Sequence, residues 1–217
     1  MIKGIIFDLD GTLLDTINDL GDSVNEALQD LNHPTHEIEA YKLKVGHGFR
    51  SLMVNSLPEG ADDSEVDKCL ASFLKHYDRL YMHKTAPYKG IEELLLNLEK
   101  RGIKLAVNSN KREDYTRNLI AHAFKDIEFV DVVGQRENQA KKPDPWGANY
   151  IIGKMGLTKD EVVYIGDSNT DIKTAINAGL SSIGVDWGFR GHKELEEAGA
   201  DYIAYQAKDI LDIIEKI

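Results

Sequence analysis

The stretch Gly4-Ile5-Ile6-Phe7-Asp8-Leu9-Asp10-Gly11-Thr12-Leu13 carries an apolar run into two carboxylates, one residue apart, and then into a glycine. A short apolar run closed by glycine reads as a buried strand. Side chains alternate faces along a strand, so Asp8 and Asp10 project to the same side wherever strand geometry persists. Two like charges so close repel strongly once partly desolvated. Both are retained only where one is protonated or a cation lies between them. Taken alone, Asp-x-Asp-Gly fits a strand with an acidic turn as well as it fits a site of chemistry or metal binding.

The rest of the chain supplies matching pieces. Val162-Val163-Tyr164-Ile165-Gly166-Asp167-Ser168-Asn169-Thr170-Asp171 is a second apolar strand that ends in Gly-Asp, with another Asp at position 171. Between the two stretches, Lys104 to Asn108 reads as a strand with Ser109 at its end, Asn110-Lys111 follows as a possible turn, and Lys141-Lys142-Pro143-Asp144-Pro145 comes later. In order and spacing these pieces resemble the haloacid dehalogenase superfamily of phosphotransferases. Asp8 to Thr12 matches its first signature, Ser109 its second, Lys142 before proline its third, and Gly166 to Asp171 its fourth. The resemblance spans the whole chain.

Composition fits an enzyme and excludes several alternatives. With 217 residues, 42% of them apolar, the chain has ample material for a buried core, as one large domain or as a core with a smaller insert. No apolar run reaches the length of a membrane span, and Met1-Ile2-Lys3-Gly4 leads directly into a strand, so the expected location is the cytoplasm. A net charge of -11 and a pI near 5.1 disfavour nucleic acid and anionic lipid as partners. An anionic substrate must then find local positive charge. The resemblance implies a small phosphorylated molecule as partner, and the protein is expected to be a monomer or homodimer. Cys69, the only cysteine, reads as a packing residue within a helical stripe.

After Pro87 the chain alternates apolar strands with amphipathic helices, which implies a mostly parallel sheet covered on both faces, a Rossmann-like doubly wound α/β core. Further elements are expected at Phe129 to Val133, Ala148 to Met155, Ser182 to Val185 and a closing helix over Ala207 to Ile217. Ligands of such sheets bind at the carboxyl ends of the strands, where Asp8, Ser109 and Asp167 all fall. Residues 14–86 break the alternation and read as helices only. Leu20, Val24, Leu28 and Leu31 form one stripe with Thr16 as N-cap. Val66, Leu70, Phe73, Leu74, Tyr77 and Tyr81 form another, opened by Asp63 or Ser64. An all-helical insert directly after the first strand resembles the superfamily's cap domain. The expected division is therefore a catalytic core of residues 1–13 and 87–217 with a cap of residues 14–86.

The resemblance implies roles that suit the chemistry of these residues. A phosphate monoester resists attack because its oxygens are negative, so catalysis depends on positioning and charge neutralisation. Asp8 would attack phosphorus and form an aspartyl-phosphate, while Asp10 would protonate the leaving alcohol and later deprotonate water. Asp8, Asp10, Asp167 and Asp171 together present enough negative charge to require a hard cation, expected to be Mg2+. The implied ligands are the carboxylates of Asp8 and Asp167 and the backbone carbonyl of Asp10, with Asp171 either a ligand or just behind. Lys142 would neutralise the phosphoryl group, while Ser109, Gly11, Thr12 and Asn110 would lie against it.

Within the superfamily the likeness is greatest to the phosphoglycolate phosphatase group. It rests on Val45-Gly46-His47-Gly48-Phe49-Arg50-Ser51-Leu52, Pro87-Tyr88-Lys89-Gly90, Lys142-Pro143-Asp144-Pro145 and Asp186-Trp187-Gly188-Phe189-Arg190. Lys89 stands where that group commonly has proline. Ser109 stands where it usually has threonine. The implied activity is Mg-dependent hydrolysis of 2-phosphoglycolate. Pyrophosphatase, sugar-phosphate phosphatase, phosphomutase and, on a different footing, a non-enzymatic binding protein are the alternatives. Substrate choice is expected in the cap, where His47, Gly48 and Arg50 lie at a glycine turn before a helix and would meet the substrate's carboxylate.

Overall fold

Four consecutive buried residues, Gly4–Phe7, form β1, the strand around which the molecule is built. A strand apolar on both faces is stable only where both faces are covered. The computed structural model, which describes residues 1–217, provides that cover. β1 is central in a six-stranded sheet with β4 (Lys104–Arg112), β5 (Phe129–Gln135), β6 (Val162–Gly166), β7 (Ser181–Val185) and β8 (Tyr202–Ala204), in the order β5-β4-β1-β6-β7-β8. Every neighbouring pair is parallel.

The alternation of β1 divides the core. Ile5, Phe7 and Leu9 pack with apolar side chains of α4 (Ile91–Lys100), α5 (Glu113–Ala123) and α9 (Asp209–Ile214). Ile6 packs on the opposite face with α6 (Trp146–Met155) and α7 (Asn169–Ala178). Register then positions the chemistry. Phe7 pairs with Val107 on one side and Ile165 on the other, so β1 and β6 finish almost level and β4 passes beside their ends. The α/β class and the doubly wound parallel sheet expected from the alternation are both present.

Between β1 and α4 the chain forms a separate helical layer. A two-stranded antiparallel ribbon, β2 (Leu14–Asp15) with β3 (Ala86–Pro87), brings its two ends together. Above the ribbon lie α1 (Ile17–Asp30), a 3-10 helix at Ile38–Leu43, α2 (Phe49–Ser56) and α3 (Asp63–Leu80). Leu20, Val24 and Leu28 of α1 pack on Val66, Phe73 and Tyr77 of α3, in an apolar cluster distinct from those of the sheet. α8 (His192–Ala198) lies beyond β7 and packs Leu195 against Gly184. Cys69 is buried in the helical layer with its sulfur 3.5 Å from that of Met53, a packing residue as expected.

Several local expectations are corrected. β4 continues past Ser109 to Arg112, because a register shift after Asn108 absorbs the irregularity while pairing with β5 resumes at Gln135. Asn110 and Lys111 therefore lie in a strand and not in a turn. α3 is capped by Asp62, whose carboxylate accepts from the Glu65 N–H at 2.8 Å, one residue before the expected start. Thr16 occupies the N-cap position of α1, yet its hydroxyl makes no cap bond. The closing helix spans only Asp209–Ile214.

The buried Asp19, in the first turn of α1, has an unusual set of partners. Its carboxylate accepts from the Lys84 N–H at 3.0 Å and from both the N–H and the hydroxyl of Thr85 at 2.8 Å. The entry helix is thereby fastened to the returning segment.

Candidate active site

Asp8 directly follows β1, and its N–H still donates to Ile165 O at 2.8 Å, so the sheet's own ladder fixes its backbone. Asp167 directly follows β6. Asp171 lies in the first turn of α7. The carboxylates of these three buried residues offer oxygens that all lie within 4.8 Å of one another. Lys142 reaches the same point from the segment before α6. Its Nζ is 2.7 Å from Asp8 Oδ1 and 2.7 Å from Asp171 Oδ1.

Close packing here demands glycine. A Cβ on Gly11 or Gly188 would collide with Asp167, and one on Gly166 would collide with Asp171. Gly11 has φ +83, so the turn after the first motif also requires it conformationally. The Phe189 N–H donates to Asp167 Oδ2 at 2.7 Å, and the N–H and hydroxyl of Ser168 donate to Asp171 Oδ2 at 3.1 and 2.6 Å. Both oxygens of Asp171 are thus engaged. Asp167 Oδ1 accepts no hydrogen bond from the protein, and Asp8 Oδ1 accepts none either, being met only by the Lys142 ammonium at 2.7 Å.

Electrostatics follow from this burial. Asp8 is pushed up to about 7, first by desolvation and then by the charge of Asp171, against the pull of Lys142. Asp167 is held well above the usual carboxylate range by burial, with Asp171 and Asp8 adding to the effect and the Phe189 N–H opposing it. Burial alone would lower the Lys142 ammonium, but Asp171 and Asp8 outweigh it and hold the group well above its ordinary value. One ammonium cannot neutralise three carboxylates. A divalent cation with oxygen ligands fits the remaining charge and the carboxylate oxygens that accept no hydrogen bond.

Asp10 points elsewhere. Its Oδ1 accepts from the Thr16 hydroxyl at 2.7 Å and from Lys111 Nζ at 2.8 Å, and its Oδ2 is 3.0 Å from the same ammonium. The Asp10 side chain is therefore outside the three-carboxylate group. Lys111, with only 1% of its side chain exposed, also lies over the rings of Tyr77 and Phe49, at 5.2 and 5.7 Å from their centroids. This ammonium joins the sheet to the helical layer.

Among the other expected site residues, Ser109 and Asn110 line a narrow cavity above the carboxylates. Ser109 Oγ accepts from the Lys111 N–H at 3.2 Å. Asn110 is a clamp: its Oδ1 accepts from the Lys142 N–H at 2.9 Å, and its Nδ2 donates to Lys142 O and, across the cavity, to Gly46 O. Thr12 is buried away from the cavity, with its carbonyl accepting from Trp187 Nε1. Gly11 packs on Asp167.

The turn at Gly46-His47-Gly48 reaches the cavity with its glycines, while the exposed His47 does not line it. Three donors of the sheet region grip its carbonyls: Arg190 Nη2 on Val45 O at 2.8 Å, Asn110 Nδ2 on Gly46 O at 2.9 Å and Lys141 Nζ on His47 O at 3.5 Å. Arg50 stands apart from the cavity. Phe49 and Leu52 face inward, and a step of one residue turns about 100° around a helix, which carries Arg50 to the outside. There it pairs with Asp63 and Asp67 of α3. The structure thus places Arg50, expected to meet substrate, outside the cavity.

Residues 5–185 match the family model described as haloacid dehalogenase-like hydrolase. The chain belongs to that family. A phosphoglycolate phosphatase of Photobacterium profundum is 30% identical over 220 residues, which cover 99% of this chain and 96% of that protein. One of Mesorhizobium japonicum is 35% identical over 188 residues, covering 85% and 83%. Among solved structures, a protein of Lactobacillus delbrueckii subsp. bulgaricus superposes with a TM-score of 0.92 at 32% identity, covering 98% of both chains.

Among the residues of this hydrolase that line the cavity, Lys111, Ser168 and Arg190 carry no role in the sequence reading. Lys111 has a signal, since it lies two residues past Ser109 and period-two alternation places both on one side of a strand. Ser168 has one too, because it precedes a helix whose third residue is Asp171. Arg190 has none beyond its place after Trp187-Gly188-Phe189.

Proposed function

We propose that the protein hydrolyses 2-phosphoglycolate to glycolate and phosphate through an aspartyl-phosphate on Asp8, in the cytoplasm and with magnesium as cofactor. Its family and its curated relatives make it a phosphoric monoester hydrolase. The observation that carries the covalent step is Asp8 at the end of β1, buried and facing Lys142, with its Oδ1 accepting no hydrogen bond and met only by that ammonium at 2.7 Å.

In this reading a carboxylate oxygen of Asp8 attacks phosphorus, the bond to the glycolate oxygen breaks, and Asp10 delivers a proton to that oxygen. Asp10 then accepts a proton from the water that attacks the aspartyl-phosphate, which returns Asp8 and releases phosphate. Lys142 and the Ser109 hydroxyl hold the phosphoryl oxygens. Asp8, Asp167 and the Asp10 carbonyl would hold magnesium, which neutralises charge on the carboxylates and the phosphoryl group when bound. The double engagement of Asp171 supports a place behind those ligands. Residues 14–86 act as a cap over a core of residues 1–13 and 87–217, moving about the ribbon of β2 and β3. The helical layer's own apolar cluster, which takes in only Tyr115 and Phe189 from the core among its buried members, supports that division.

The test is phosphate release from 2-phosphoglycolate, pyrophosphate, sugar phosphates and ethyl phosphate, each with magnesium and with excess chelator. The expected result is preference for 2-phosphoglycolate and dependence on magnesium. Full activity in chelator would remove the metal. Preference for pyrophosphate or a sugar phosphate would remove the substrate.

A further inference from the structure

Three cations line the cavity, Lys142, Lys111 and Arg190. Two of them are already spoken for. Lys142 lies 2.7 Å from each of two carboxylates, and Lys111 holds both oxygens of Asp10 at 2.8 and 3.0 Å. Arg190 is different. Its nearest carboxylate is Glu194, 3.9 Å from Nε and beyond hydrogen-bond distance, and its only hydrogen bond runs from Nη2 to the backbone carbonyl of Val45. A guanidinium has five N–H donors in a planar fork, so most of this one is uncommitted. Only 13% of the side chain is exposed, so water does little to satisfy it.

Position points the same way. Arg190 follows Phe189, whose N–H fixes Asp167, so one short segment secures the carboxylate group and carries the free guanidinium. Across the cavity from that group, Gly46 adopts φ +115 and leaves the space beside Nη2 without a side chain. An acidic protein offers an anion few such places, and a carboxylate matches the fork with two parallel hydrogen bonds.

We propose that Arg190 binds the carboxylate of the substrate, the end that is not transferred, and so selects phosphate monoesters that carry a second anionic group close to the ester oxygen. The assignment rests on the phosphatase reading above and names the residue that gives it specificity. It replaces Arg50 of the cap with an arginine of the core. Because the same guanidinium holds Val45 O, the substrate carboxylate and the seated helical layer share one anchor.

The experiment compares kcat/KM for 2-phosphoglycolate and for ethyl phosphate, which is of similar size and leaving group but lacks the carboxylate, in the wild type, Arg190→Met and Arg190→Lys. The wild type is expected to prefer 2-phosphoglycolate. Arg190→Met should shrink that preference by about tenfold or more, the scale of a lost charge-assisted pair, with Arg190→Lys in between because it keeps the charge but not the fork. Equal losses on both substrates would overturn the proposal and leave Arg190 as a fastener of Val45. An unchanged preference would overturn it as well. A wild type with no preference for 2-phosphoglycolate would instead remove the substrate reading on which the proposal stands. Thermal melting of each variant checks folding, and Arg190→Lys preserves the comparison if the methionine variant unfolds.

Discussion

At the strand ends, Lys142 is held between Asp8 and Asp171 while Asp167 is wedged among glycines. At the opposite wall, the turn at Gly46 is held through the backbone carbonyls of Val45, Gly46 and His47. The first region is built from buried charges. Removing one leaves the others without a partner in a medium that solvates them poorly, a cost of several kcal/mol. The second is built from hydrogen bonds to neutral carbonyls, two of them from charged donors, each worth about 1 to 3 kcal/mol net and exchangeable for water. One wall is therefore costly to disturb and the other cheaper to part, which suits the proposed cap.

The largest effect should come from the wall of buried charges. Asp8→Asn is nearly isosteric but cannot attack phosphorus, so turnover should fall by about a thousandfold or more with the fold unchanged by circular dichroism. Near-normal turnover would remove the covalent mechanism. Lys142→Met should destabilise the metal-free protein by about 3 to 5 kcal/mol in urea denaturation, because it strands two buried carboxylates. A change within the range of an exposed ion pair would show that the two walls do not differ.

The pH dependence sharpens the same contrast. Asp8, raised to about 7 in the folded protein, keeps its proton where the unfolded chain has released it. The folded state then binds more protons from about pH 4 to 7, so stability of the metal-free protein should be greatest at the acid end of that window and fall as pH rises through it. Asp167 is shifted the same way. In Asp8→Asn the decline in Tm between pH 5 and 7 should be smaller. Magnesium should flatten it in the wild type, and an equally steep decline in the variant would locate the titration elsewhere.

Lys111 tests the boundary between the walls, since it binds Asp10 on one side and the rings of Phe49 and Tyr77 on the other. Lys111→Met should lower kcat for alkyl phosphates by about tenfold to a hundredfold, part of what a positioned acid–base group supplies, with partial rescue by Lys111→Arg. An unchanged kcat would mean that Asp10 needs no such partner. The smallest effect belongs to Arg50→Ala. Its exposed pairs with Asp63 and Asp67 should cost under about 1 kcal/mol, and kcat/KM should stay within about twofold. A tenfold loss would return Arg50 to the substrate.

These differences also explain what could be read without coordinates. Asp8, Asp167 and Asp171 sit at set offsets from apolar strands, and parallel register makes those strands end level, so their meeting is legible from spacing alone. Arg50 is not, because its direction depends on a step of one residue around α2 and on where α3 places two acids. Neither is written in local periodicity. The fit of Thr16 to an N-cap is a trap of the same kind: the residue type suits a cap, but Asp10 competes for its hydroxyl and wins. Strands of two or three residues, such as β2, β3 and β8, contain too few positions to show alternation.

One buried carboxylate has a mechanical consequence. Two independent linkers would let the helical layer both swing and twist over the sheet, and each extra way of moving would offer geometries in which the turn at Gly46 misses its three donors. Asp19 binds the entry helix to Lys84 and Thr85 of the return, so the two linkers move together. If the layer moves as the proposed cap, rotation about the ribbon is the motion this fastening leaves easiest. In that proposal, the search for a closed state would be a search along a line.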